Sequence, residues 1–128
     1  MIVLDASVLI AFLDGQDAHH AAAEQLLSSA VDEDLAVNSL TLAEVLVAPV
    51  REGRLDAIRA ALDDLEIKEL PFPADAAVKL ATLRAATGLK MPDCCVVLAA
   101  DDAPAGIGTF DDRLAQVAEE RGLTVVQR

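Results

Sequence analysis

Asp5, Glu44, Asp93 and Asp111 each stand where a strand reads as handing over to a helix: MIVLD-ASVLIAFL, NSLTLAE-VLV, KMPD-CCVVLAA and GTFD-DRLAQVA. One carboxylate at a helix start is ordinary capping, because its oxygen accepts an otherwise unpaired backbone N–H. Four such starts on one edge of a single parallel sheet would gather into a pocket of oxygen ligands. Packed carboxylates resist ionising together, and a divalent cation is the simplest relief. Mg²⁺ prefers oxygen, keeps several waters and needs one or two direct carboxylates; four would also suit two ions about 3.5–4 Å apart. The spacing of His and Cys residues for zinc is absent. A site of this kind points to chemistry on phosphate esters.

Each acid also has a purely structural reading. Asp5 caps a helix beginning near Ser7, and Asp111 caps Asp112–Glu120. Thr41-x-x-Glu44 has the form of a capping box. Asp93 follows Pro92 in a first helical turn, where the helix dipole favours negative charge. Only a shared edge makes the metal reading preferable. Asp112, beside Asp111, is an alternative fourth acid, and Ser7 and Thr109 are placed to hydrogen-bond a carboxylate from behind or to serve as ordinary caps. Asp101 and Asp102 fall late in their helix and read as solvated.

The elements that must position these acids follow from periodicity. Strands are expected at Ile2–Leu4, Leu35–Val37, Ile67–Leu70, Ile107–Phe110 and Thr124–Val126. Helices are expected over Ser7–Leu13, His19–Ala30, from Leu42 to Val47, then Arg54–Leu65, Ala74–Ala86, Pro92–Ala100 and Arg113–Glu120. Pro49 is expected to end or kink the third of these, and Gly88 and Gly122 to stop their helices. The alternation predicts one α/β domain over residues 1–128, with a central, mostly parallel sheet of about 4–5 strands flanked by helices. Open sheets of this type carry their sites beyond the carboxyl ends of the strands.

Bulk composition narrows the function classes. With 22 acids against 10 bases and a net charge of −12, tight sequence-independent nucleic-acid binding is disfavoured. Metal ions would have to mediate contact with nucleic acid, with weak and salt-sensitive binding, and a basic protein partner suits the charge. Aromatic residues are only 2% of the chain, which argues against an RNA-recognition sheet. Adjacent Cys94 and Cys95 form no disulfide framework and point to a reducing compartment. No apolar stretch reaches membrane-spanning length. The expectation is a cytoplasmic protein. His19 and His20 are adjacent and do not chelate as an i, i+4 pair would, so they read as a half-exposed helix face. The cysteines read as small buried hydrophobes. Arg51, Arg54 and Arg59, or Lys79, Arg84 and Lys90, are the cations available to line an RNA path.

The order Asp5-Ala-Ser7, Ser39-x-Thr41-x-x-Glu44, Pro92-Asp93 and Thr109-Phe-Asp111, in a chain of this size, resembles the PIN-domain nucleases, and within them the VapC-type toxins of bacterial toxin–antitoxin pairs. The resemblance spans essentially the whole chain. It implies a Mg²⁺- or Mn²⁺-dependent endoribonuclease with Asp5, Glu44, Asp93 and Asp111 holding metal, inhibited by a cognate antitoxin and forming a homodimer. It implies a metal-activated water attacking phosphorus, leaving 5′-phosphate and 3′-hydroxyl ends. Other classes remain in view. A receiver-like signalling module matches the size, but the first strand ends in one acid, not two, and no Lys ends a late strand. An aspartyl phosphatase would need a second acid after Asp5. A PIN-like fold kept only for protein binding would not need the full acid set.

Overall fold

Alternation of residues along the central strand sets the layering. In the computed structural model, which describes residues 1–102 and 105–126, β1 (Ile2–Leu4) is buried throughout. Ile2 and Leu4 enter one apolar cluster and Val3 another, as a side-chain period of two requires. A strand buried on both faces belongs to a sheet covered on both faces. The remaining elements supply that cover: α1 (Ala6–Leu13), α2 (His20–Ser29), β2 (Leu35–Asn38), α3 (Ser39–Arg51), α4 (Leu55–Asp64), β3 (Lys68–Leu70), α5 (Ala76–Thr87), α6 (Met91–Asp102), β4 (Gly106–Gly108), α7 (Asp112–Glu120) and β5 (Val125–Val126). The five strands lie in the order β3-β2-β1-β4-β5, and every neighbouring pair is parallel. Val8, Leu9, Leu26, Val45, Ile58 and Leu62 pack α1–α4 on one face. Leu83, Val96, Val97, Leu114 and Val117 pack α5–α7 on the other. No helix among the described residues is long and apolar enough to cross a membrane.

The register brings the strand ends to one edge. Leu4 lies opposite Gly108, and Asn38 opposite Leu70. Strands β1 and β4 approach closely: a Cβ on Gly108 would stand 2.9 Å from Leu4 Cδ2, and Leu4 is itself fully buried. A side chain there would have to force the two strands apart or displace Leu4. Glycine thus lets the segment after β4 lie directly beside the segment after β1.

The sheet and helix pattern agrees with the expectation from sequence, with four differences. The third helix begins at Ser39 rather than near Leu42, and Asn38 caps it, its side-chain oxygen accepting the Thr41 N–H at 2.9 Å. Thr41 is therefore the third helical residue and no capping box forms with Glu44, which sits a further turn along. Pro49 does not end this helix, which runs on to Arg51. Close to the end of α3, the missing N–H removes one backbone bond while the ring is buried. The strand expected over Ile107–Phe110 ends at Gly108, because Thr109 and Phe110 turn to bond the first helix. Asp93 follows no strand: α6 is preceded by α5 and the loop at 88–90.

Asn38 is almost fully buried, and its amide nitrogen also donates to Thr41 Oγ1 at 2.9 Å. Asn38→Ala removes the cap and leaves buried groups unpaired, and should lower urea-unfolding stability by about 1–3 kcal/mol. Glu44→Ala in metal-free protein should change it by less than about 0.5 kcal/mol. The reverse order of effects would restore the capping box.

Candidate active site

Asp5 is where the site begins. It caps α1 by accepting the Val8 N–H on Oδ1 at 3.2 Å, and it is 5% exposed. A buried carboxylate needs partners for its oxygens. Ser7 Oγ donates to Oδ1 at 2.6 Å, and Thr109 Oγ1 donates to Oδ2. Each hydroxyl also accepts from the β4–α7 turn: Ser7 Oγ takes the Phe110 N–H at 3.1 Å, and Thr109 Oγ1 takes the Asp111 N–H at 2.9 Å. Together with the bond from Asp5 N–H to the Gly108 carbonyl at 3.1 Å, these contacts lock the two strand ends together and deliver Asp111 beside Asp5.

Asp111 caps α7, with Oδ1 accepting the Leu114 N–H at 2.9 Å. Asp93 is half-buried in the first turn of α6. Its approach is fastened by two arginines. Arg84 donates to the Leu89 carbonyl at 2.5 Å and Arg113 to the Thr87 carbonyl at 2.9 Å. Gly88, in the left-handed conformation at φ +70°, ends α5 and lets the chain turn.

Charge shows which acids share the site. Burial raises the Asp93 carboxyl above 3.8, and repulsion from Asp111, Asp5 and Glu44 raises it further, against an opposing pull from Lys90. Burial likewise raises Asp5, partly offset by its hydrogen bonds from Ser7, Thr109 and Val8, with Asp111 again adding repulsion. Asp93 therefore feels the other three acids singled out in the sequence, and Asp111 rather than Asp112 is the one felt by both Asp5 and Asp93. Glu44 arrives from the second turn of α3, not from a helix start. Asp101 and Asp102 lie at the far end of α6, paired with Arg121 and Lys79. Cys94 and Cys95 are buried. Burial pushes the Cys95 thiol to about 11, with Cys94 and Glu44 adding repulsion, so it is no nucleophile at neutral pH.

The donor set fits a hard cation. It is all oxygen, it repels itself, and Glu44 and Asp111 stand open to solvent. Among the described residues no group of three or more Asp, Glu, His or Cys side chains is drawn close enough together to hold a metal ion. An open cluster suits Mg²⁺ or Mn²⁺, which take one or two carboxylates and fill the rest of their shell with water.

The histidines divide. His20 is structural: Nδ1 lies 2.8 Å from the Ala11 carbonyl, Nε2 pairs with Glu24 at 3.2 Å, and the ring stacks on Phe12. His19 lies just before α2 rather than on its face, with its ring stacked on Phe110. Nothing local in the sequence announces that contact, since the two residues meet only through the tertiary fold.

The raised Asp5 and Asp93 give a testable sign. A carboxyl whose folded pKa lies above its unfolded value of 3.8 contributes stability that is full below pH 3.8 and is lost as pH rises through the folded value. In EDTA, Asp93→Asn should therefore stabilise the fold at pH 7, by no more than about 1 kcal/mol because water screens a half-exposed group, read as a raised thermal midpoint. The gain should vanish towards pH 3.5; a stabilisation independent of pH would disprove the repulsion.

Comparison with known proteins bears on the fold and the family. The structure superposes on a toxin–antitoxin complex from Klebsiella pneumoniae with a TM-score of 0.81 at 22% identity, covering 99% of this chain and 97% of that one. It superposes equally, at 0.81 and 16% identity with 100% of both chains covered, on VapC20 of Mycobacterium tuberculosis, described as a sarcin–ricin-loop-cleaving toxin. VapBC2 from Rickettsia felis, bound to a DNA fragment from its promoter, gives 0.73 at 15% identity over 98% of both chains. At these identities the likeness is one of fold. No curated protein sequence matches the chain. The family description "PIN domain" matches residues 2–120, nearly the whole length, and on that match the chain belongs to the PIN-domain family.

Proposed function

We propose that this PIN domain is a Mg²⁺- or Mn²⁺-dependent endoribonuclease, acting as the toxin of a cytoplasmic toxin–antitoxin pair, with residues 1–128 forming one catalytic domain. The observation that carries the proposal is the hydrogen-bond network of Ser7 and Thr109 that holds Asp5 and the turn into Asp111 together at the carboxyl edge of the sheet, with Asp93 near enough to be repelled by Asp5, Asp111 and Glu44. These four would hold the ion, which when bound supplies Lewis-acid activation of water and neutralises charge on the leaving 3′ oxygen. Asp5 is fixed by Ser7 and Thr109 behind it and sets the position of the group. Glu44 and Asp93 have freer oxygens and carry the burden of ligation and water orientation. Asp111 offers its second oxygen while the first caps α7. Lys90, the cation acting on Asp93, is placed to meet a phosphate. Hydrolysis by this route gives 5′-phosphate and 3′-hydroxyl ends. Asp112, exposed beside Asp111, is left as an outer group.

An antitoxin partner is supported by a groove of about 280 Å³ between α1, α3 and α4, lined by Ile10, Leu13, Val45, Ala48 and Ile58 and edged by Asp14, Glu44 and a Glu52 already paired with Arg54. A basic amphipathic helix fits that chemistry, and an Arg at its tip would compete with metal for Glu44. A homodimer remains part of the proposal, with Leu40, Phe72 and Met91 among the exposed large apolar side chains that a second copy could cover.

The test is to incubate the protein with cellular RNA and Mn²⁺ and map the new ends. Cleavage leaving 5′-phosphates, abolished by EDTA, is expected; 2′,3′-cyclic phosphate ends or activity in EDTA would sink the mechanism. Asp93→Asn should lower kcat/KM at least about 100-fold, the upper range for groups that merely support a metal ligand, while the protein stays folded. Asp5→Ala is a poorer probe, because Asp5 also caps α1 and binds the β4–α7 turn.

A further inference from the structure

We propose that His19, stacked on Phe110 at the rim of the carboxylate cluster, is a nucleobase-stacking residue that seats single-stranded RNA beside the reacting phosphate. This rests on the ribonuclease reading above. The two rings lie 5.2 Å apart between centroids and 19° from parallel. Phe110 directly precedes Asp111, and its N–H is held by Ser7 Oγ, itself bonded to Asp5. The stack is thus tied to the acidic site through the backbone that builds it.

His19 is held in place from both sides. Its N–H donates to Asp17 Oδ1 at 2.8 Å, and its carbonyl accepts the Ala23 N–H at 2.9 Å. With its backbone pinned and one ring face on Phe110, the side chain is still 63% exposed. An ordered π-face open to solvent beside a phosphodiester site has the geometry that a splayed base needs, and such stacking accepts any base. It also supplies binding where a net charge of −12 gives little electrostatic help. Low aromatic content argued against a stacking platform on the sheet; the fold builds one at a loop instead, from one histidine and one phenylalanine.

The experiment compares wild type, His19→Ala and His19→Phe on an oligoribonucleotide spanning a cleavage site mapped with Mn²⁺. His19→Ala should raise KM at least about fivefold, with kcat within about twofold and an unchanged thermal midpoint. His19→Phe should restore KM, since it keeps a stacking face. An unchanged KM in His19→Ala overturns the proposal while leaving the nuclease reading intact. So does a loss shared by kcat and thermal midpoint that Phe does not rescue, which would mean that His19 only shields Phe110. A wild-type protein that cleaves no RNA removes both readings.

Discussion

A carboxylate taken out of water must find partners within the protein, and the rest of this site is arranged around that demand at Asp5. Its oxygens are met by the Val8 N–H and by the hydroxyls of Ser7 and Thr109. Those hydroxyls have capacity left over and spend it on the N–H groups of Phe110 and Asp111. One buried charge therefore fixes where α1 starts, how β1 meets β4, and where the turn into α7 runs. Gly108 permits the approach, and Asp111 is brought in as a consequence.

Capping and the proposed metal binding would draw on the same side chains, but the caps engage their oxygens unequally. Asp5 is engaged at both oxygens, Asp111 at one. Among the hydrogen bonds of the described residues, none is made by the side chains of Asp93 or Glu44, and both enter the cluster as charge. The most buried acid is thus the most committed to structure, and the more accessible ones are the more available for chemistry. This division eases the repulsion within the cluster: its most buried member is stabilised by hydrogen bonds, while Glu44 and Asp111 face water and Asp93 is half-buried.

Much of this was legible in the sequence. The β-branched run before Asp5, the helical spacing of Leu55, Ile58 and Leu62, and the stop at Gly88 all reflect local preferences that tertiary packing reinforces. The caps at Asp5 and Asp111 were equally readable. The start of α3 was not, because Asn38-Ser-x-Thr41 and Thr41-x-x-Glu44 both satisfy cap chemistry. The choice falls to burial: Asn38 ends a strand paired to Leu70 and can place its amide only on Thr41. Pro49 misled for a related reason, since its cost depends on how few turns follow it. The strand inferred before Asp93 was a loop held by Arg84 and Arg113, whose partners are backbone carbonyls that carry no residue signature. The His19–Phe110 stack joins residues far apart in the chain, so no local pattern betrays it.

The bonds from Thr109 to Asp5 and from Phe110 to Ser7 span 104 and 103 residues. Strand β4 lies between β1 and β5, so β1 has one exposed edge until β4 arrives. On a ribosome, the first half of the chain can form α1, α2, β2 and α3 early, since their contacts are short-ranged. Asp5 at that stage has neither its second hydroxyl nor Asp111 beside it. The acidic cluster is therefore complete only after the segment beyond residue 109 has emerged and β4 has paired with β1, and a nascent chain lacks it by its own topology.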